Sequence, residues 1–68
     1  MNDKALLKLL EAGVEAEAAA KQLNVASELV VARVRVYVEE KILTCVGDRE
    51  VIDWKAYGRW KRSQLEAA

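Results

Sequence analysis

Apolar residues recur first at helical spacing. In NDKALLKLLEAG (2–13) and the residue after it, Leu6, Leu7, Leu10 and Val14 fall on one face, which predicts an amphipathic helix. Asn2 or Asp3 can cap its start, because a short side-chain oxygen accepts a hydrogen bond from a free amide of the first turn. Gly13 suits the left-handed backbone that often ends helices. VEAEAAAKQLN (14–24) predicts a second helix. Its three consecutive alanines are strong helix formers and let a neighbouring helix approach closely. Glu15 and Glu17 at its start favour the helix dipole. Asn24, after Leu23, tolerates the left-handed conformation of a tight turn.

The stretch LVVARVRVYVEEKIL (29–43) is ambiguous by pattern. From Val34 to Val38 apolar and polar residues alternate, and valine favours strands. Yet no Gly, Asn, Asp or Pro lies between Val25 and Val46. A hairpin would have to turn on Glu39, Glu40 and Lys41, which is poor turn chemistry. Read as a helix, Val30, Val34, Tyr37 and Lys41 share one stripe, and Ser27 can cap it. The local pattern supports both. Further on, LTCVGDREVIDW (43–54) predicts a hairpin, with apolar stretches around TCV and EVIDW flanking a GDR turn. The last residues, KAYGRWKRSQLEAA (55–68), fit either a short helix interrupted by Gly58 or an extended piece followed by a helical RSQLEAA.

Residues 4–54, read together, resemble the winged helix-turn-helix superfamily. The pattern there is an apolar first helix, a second helix rich in small residues and ending in Leu, a turn, a third helix, and a Gly-Leu-type exit into a wing. Leu23, Asn24 and Val25 match the turn. Val30, Val34 and Tyr37 match buried positions of the third helix. Glu39 to Leu43 match the exit, with Lys41 where glycine is commoner, and TCVGDREVIDW matches the wing. The resemblance implies an α+β fold, mostly helical, with three helices followed by a β-hairpin wing and a basic C-terminal segment. It takes residues 27–39 as the third helix. Its valines lower intrinsic helix propensity, so this helix relies on tertiary packing. GRWKRSQLEA also resembles the end of the wing in excisionase-like and MerR-like DNA-binding domains, where a basic-aromatic strand leads into a short helix. Both resemblances imply fold more strongly than function.

Length and composition narrow the alternatives. Sixty-eight residues make one domain, 1–68, and such small domains often gain stability from disulfides, metal or a partner subunit. Cys45 is the sole cysteine and histidine is absent, so an intrachain disulfide and a Cys/His zinc site are both excluded. Oligomerisation is the common route left. Eleven basic and eleven acidic residues cancel, but unevenly. The first 54 residues carry seven basic and ten acidic side chains, a net of minus three. KAYGRWKR (55–62) carries Lys55, Arg59, Lys61 and Arg62 with no acid. A basic end on an acidic body fits a polyanion partner and fits a solvated tail. No apolar run approaches the length of a membrane span. The start lacks the basic lead and apolar stretch of a secretory signal. With one free thiol, the expectation is a cytoplasmic protein. Without histidine, with no activating partner for Cys45, and with Gly13, Gly47 and Gly58 isolated, the expectation is a non-enzyme without cofactor or metal.

In the domains it resembles, the third helix lies in the major groove and flanking basic residues hold phosphates. Carried onto this chain, the groove-facing positions are Ala26, Ser27, Glu28, Val31, Ala32 and Arg35. Arg35 is the strongest base reader and Ser27 a phosphate or base contact, while Glu28 repels phosphate unless it accepts from a cytosine amine. Arg49 at the wing tip and Lys55, Arg59, Lys61 and Arg62 are candidate phosphate contacts acting by counterion release. The third helix is apolar nearly all round. Leu29, Val31 and Val36 are therefore expected at an interface with a second copy or a protein partner. The alternative packs Leu29, Val36 and Val38 against the first helix and the C-terminal segment. Trp54 and Trp60, in a chain without Phe, are core or interface anchors. The expected function is a small DNA-binding regulator of bacterial or phage type, acting as a homodimer on double-stranded DNA. The rival is a protein-interaction module that keeps the fold without reading DNA, such as a phage-type inhibitor or adaptor of a host protein.

Overall fold

A computed structural model describes residues 2–67, with side chains as far as Leu65. The elements in chain order are α1 (Asp3–Glu11), α2 (Ala16–Leu23), α3 (Ser27–Glu39), β1 (Leu43–Val46), β2 (Arg49–Ile52) and α4 (Trp54–Ala67). The fold is α+β. Three helices followed by a hairpin agree with the expected layout, and a fourth helix completes the chain.

The first three helices end alike. Val14 N–H donates to Leu9 O, Val25 N–H to Ala20 O and Ile42 N–H to Tyr37 O, at 3.0, 3.0 and 2.8 Å. Each bond closes over a residue with positive φ: Gly13 at 88°, Asn24 at 57° and Lys41 at 60°. This wrapped ending satisfies carbonyls that the helix itself leaves free. Glycine and asparagine adopt the left-handed conformation readily, whereas Lys41 does so at a cost. The Asn2 side chain caps α1 by accepting from Ala5 N–H at 3.1 Å. Ser27 is not the cap of α3. Ala26 holds that position with no side-chain bond, and Ser27 is the first helical residue.

The stretch that alternates like a strand is helical throughout Ser27–Glu39. Its two fully buried side chains, Val30 and Tyr37, are seven positions apart on one face, where a strand's period of two would have put them on opposite faces. β1 and β2 pair antiparallel, with Leu43 opposite Ile52 and Val46 opposite Arg49. Gly47, at φ 64°, opens the two-residue turn, as two-residue hairpin loops require at that position.

The hairpin ends two residues earlier than the apolar pattern implied, at Ile52 instead of Trp54. Asp53 lies between β2 and α4, and Trp54 is the first residue of α4 instead of the end of a strand. The Asp53 carboxylate accepts from Lys55 N–H and Ala56 N–H at 3.0 and 3.1 Å, so it caps α4. The C-terminal segment is one helix running through Gly58. The strand-then-helix arrangement of the excisionase-like resemblance does not occur, because this cap starts the helix before the basic-aromatic residues.

One core joins all six elements. Leu6, Leu7 and Leu10 of α1 meet Ala19 and Ala20 of α2, Val30 and Tyr37 of α3, Leu43 and Ile52 of the hairpin, and Ala56 and Trp60 of α4, with Ile42 between α3 and β1. The small side chains of Ala19 and Ala20 allow the close approach of α2.

Candidate nucleic-acid interface

The helical form of the C-terminal segment rearranges its charges. Lys55, Arg59 and Arg62 stand four and then three residues apart, so they share one stripe of α4. All three are exposed, whereas Ala56 and Trp60 are buried against the core. The Trp60 ring meets Tyr37 edge-on, with centroids 6.0 Å apart. Trp60 is thus a core anchor that fixes the helix and is not free for a partner. Trp54 is more open and donates its indole N–H to Glu11 Oε2 at 3.2 Å. Tyr57 bridges the two tryptophans by edge and tilted ring contacts.

Lys61 departs from the other three basic residues. Its ammonium donates to Asp3 Oδ2 at 3.0 Å and also lies 5.8 Å from the centre of the Trp60 ring. Asp3 is only 4% exposed, although it is the first residue of α1. Its other oxygen accepts the Tyr37 hydroxyl at 2.6 Å and lies 3.5 Å from the Arg33 guanidinium. Asp3 thereby ties α1, α3 and α4 together. Burial alone would raise its pKa, but the hydrogen bonds from Tyr37 and Lys61 and the charges of Arg33 and Lys61 outweigh it and hold the carboxyl below its ordinary value. Burial, together with the bond to the Asp3 carboxylate and its charge, pushes the Tyr37 hydroxyl far above its ordinary range, so it remains a donor. Of the basic tail, Lys61 has its charge engaged inside the fold.

The other basic candidates sit elsewhere. Arg49 opens β2 beside the turn and is exposed. Arg35 is exposed on α3, but Glu28, Ala32, Arg35 and Glu39 form its outer line, and that line holds two carboxylates and one guanidinium. Ser27 is half-buried. Leu29, Val31 and Val38 are 42%, 52% and 55% exposed, so Leu29 and Val38 do not pack into the core. Val36 does lean on it. Cys45 is an exposed free thiol. Among the described residues no group of three or more acidic, Cys or His side chains is gathered to hold a metal ion, and no helix is long and apolar enough to cross a membrane.

No protein-family model, curated protein or solved structure matches the chain.

The Asp3 centre is the feature that sequence reading missed. Its partners Tyr37 and Lys61 lie 34 and 58 positions away, beyond any local spacing rule. The alignment of Lys55, Arg59 and Arg62 needed only the helix, and Asp53 just before it was the available capping signal.

Proposed function

We propose that the chain is a winged helix-turn-helix protein of regulatory type that occupies duplex DNA as a dimer, held to the phosphates through α4. The observation that carries this reading is the exposed stripe of Lys55, Arg59 and Arg62, set on a helix whose opposite side is anchored by Trp60. Three cations in fixed register displace condensed counterions when they meet a duplex backbone. Arg49 at the hairpin adds a further exposed cation. Arg35 and Ser27 carry less of this proposal than the resemblance implied. Carboxylates at Glu28 and Glu39 share the outer line of α3 with Arg35, and they repel phosphate and offer no match to guanine or adenine edges. Binding is therefore expected to follow salt concentration more than base sequence.

The test is DNA affinity of the Arg59→Ala, Arg62→Ala double variant at several salt concentrations. Removing two phosphate contacts from each protomer of the dimer is expected to flatten the slope of log K against log salt by about 4. An unchanged affinity and slope would reject the assignment.

A second reading, a protein-interaction module without DNA binding, is favoured by one observation. Leu29, Val31 and Val38 leave apolar surface on both flanks of the outer line of α3. Wild-type protein that ignores DNA at low salt would favour it.

A further inference from the structure

We infer that the exposed face of α3 is covered by the α3 of a second copy, packed antiparallel about a two-fold axis between Val31 and Ala32. This deepens the dimeric part of the proposed function and does not depend on its DNA part.

The face is self-complementary about that point. Glu28 and Arg35 lie seven positions apart on α3, about 10 Å along the axis at roughly 1.5 Å per residue. A two-fold axis midway between them sets Glu28 opposite the partner's Arg35 and Arg35 opposite the partner's Glu28. Both side chains are exposed, and among the described residues the ion pairs are Arg33–Asp3 and Lys61–Asp3, so neither Glu28 nor Arg35 is committed within its own chain. Isologous contacts require this kind of reciprocity, where residue i meets j and j meets i. At the axis itself stand Val31 and Ala32, and the short Ala32 side chain lets the two helices approach.

The apolar flanks agree with the same arrangement. In an antiparallel pair each flank of a helix meets the same flank of its copy. Val31 then meets the partner's Val31, Leu29 lies beside the partner's Ala32, and Val38, about 10 Å from the axis along the helix, faces the start of the partner's helix near Ser27. These are exposed side chains that the monomer leaves in water, Leu29 at 42%, Val31 at 52% and Val38 at 55%. Covering them removes apolar area from water, and the flanking reciprocal ion pairs fix the register. The other charge match, Arg35 against the partner's Glu39, overlaps only the last turns of the helix and leaves Leu29 and Val31 uncovered.

The experiment is sedimentation equilibrium of the full chain from about 10 µM to about 1 mM, a range in which mass action resolves a weak dimer. Four proteins are compared: wild type, Glu28→Arg, Arg35→Glu, and the double exchange of both. Wild type is expected to dimerise. Each single reversal faces like charges across the axis twice and is expected to weaken the dissociation constant about tenfold or more. The double exchange restores opposite charges and is expected to return dimerisation towards wild type. Circular dichroism of each variant reports whether it folds, and the double exchange keeps the test decisive if one single variant does not. A wild type that stays monomeric throughout overturns the inference. So does a dimer that both single reversals leave unchanged, or one that the double exchange fails to rescue. DNA affinity of the Arg59→Ala, Arg62→Ala protein is read separately, so failure of the dimer and failure of the DNA proposal are distinguishable.

Discussion

Two residues work against their local preference and give the sharpest stability tests. Lys41 holds φ at 60° in the exit from α3, where a side chain costs roughly 1–2 kcal/mol relative to a right-handed conformation. Lys41→Gly relieves that strain but frees the unfolded chain, so a net gain of about 0.5–1 kcal/mol is expected, measured by urea unfolding. A loss would mean that the lysine makes a compensating contact. Asp3 is the second case. Asp3→Asn keeps an acceptor for Tyr37 but ends the ion pairs to Lys61 and Arg33. Both cations have part-exposed side chains and can regain water, so the expected loss is about 1–2 kcal/mol, below that of a fully buried pair. The folded pKa of Asp3 is lowered from about 3.8. Its stabilisation is therefore complete above that value and fades as pH falls below it and through the folded pKa. The Asp3→Asn protein is expected to show a shallower acid-side decline than wild type in unfolding followed from pH 6 to pH 2 (about one unit per step). Gly13 and Asn24 are legible as turn positions from residue type, whereas Lys41 is placed at the exit only by the family resemblance, since its own residue type argues against a turn. The Asp3 role was not legible, because capping logic treats an acid at a helix start as a solvated end and sees none of its distant partners.

At the scale of elements, α3 teaches most. Its bounds follow from the turn at Asn24 and the exit at Lys41, although its valines point to a strand by propensity. Tertiary packing of Val30 and Tyr37 decides the outcome. The same reasoning failed at Trp54, where an apolar residue after a strand looked like more strand. Asp53 accepts two amide hydrogens there and starts α4. Inside α4, Gly58 has no heavy atom within 4 Å of where a Cβ would stand. Its φ is not in the left-handed range, so Gly58→Ala is expected to stabilise by about 0.5–1 kcal/mol through backbone entropy alone. Thermal unfolding checks this. A drop in midpoint would mean that the helix needs the glycine, against the continuous α4 described above. The variant leaves the basic stripe in place, so its DNA affinity is expected to hold or improve.

At the scale of the whole molecule, two exposed surfaces carry the proposed contacts. The basic stripe of α4 faces away from the core and is assigned to phosphates. The outer line of α3, charged in its middle and apolar on its flanks, is assigned to a second copy. The sequence already separated a basic end from an acidic body. It did not show which cations stand together, since that depends on the segment being one helix and on Lys61 turning inward to Asp3. Nor did it show that Glu28 and Arg35 stand exposed on one line of α3, the observation from which their reciprocal pairing is proposed. The most direct test is fluorescence anisotropy of a labelled random-sequence duplex titrated with wild-type protein at about 50 mM and about 200 mM salt. Three to four phosphate contacts from each protomer, six to eight in the dimer, are expected to weaken binding on the order of 10³- to 10⁴-fold between those conditions. Absence of binding at the lower salt, or binding that does not respond to salt, would contradict a DNA-phosphate role for α4.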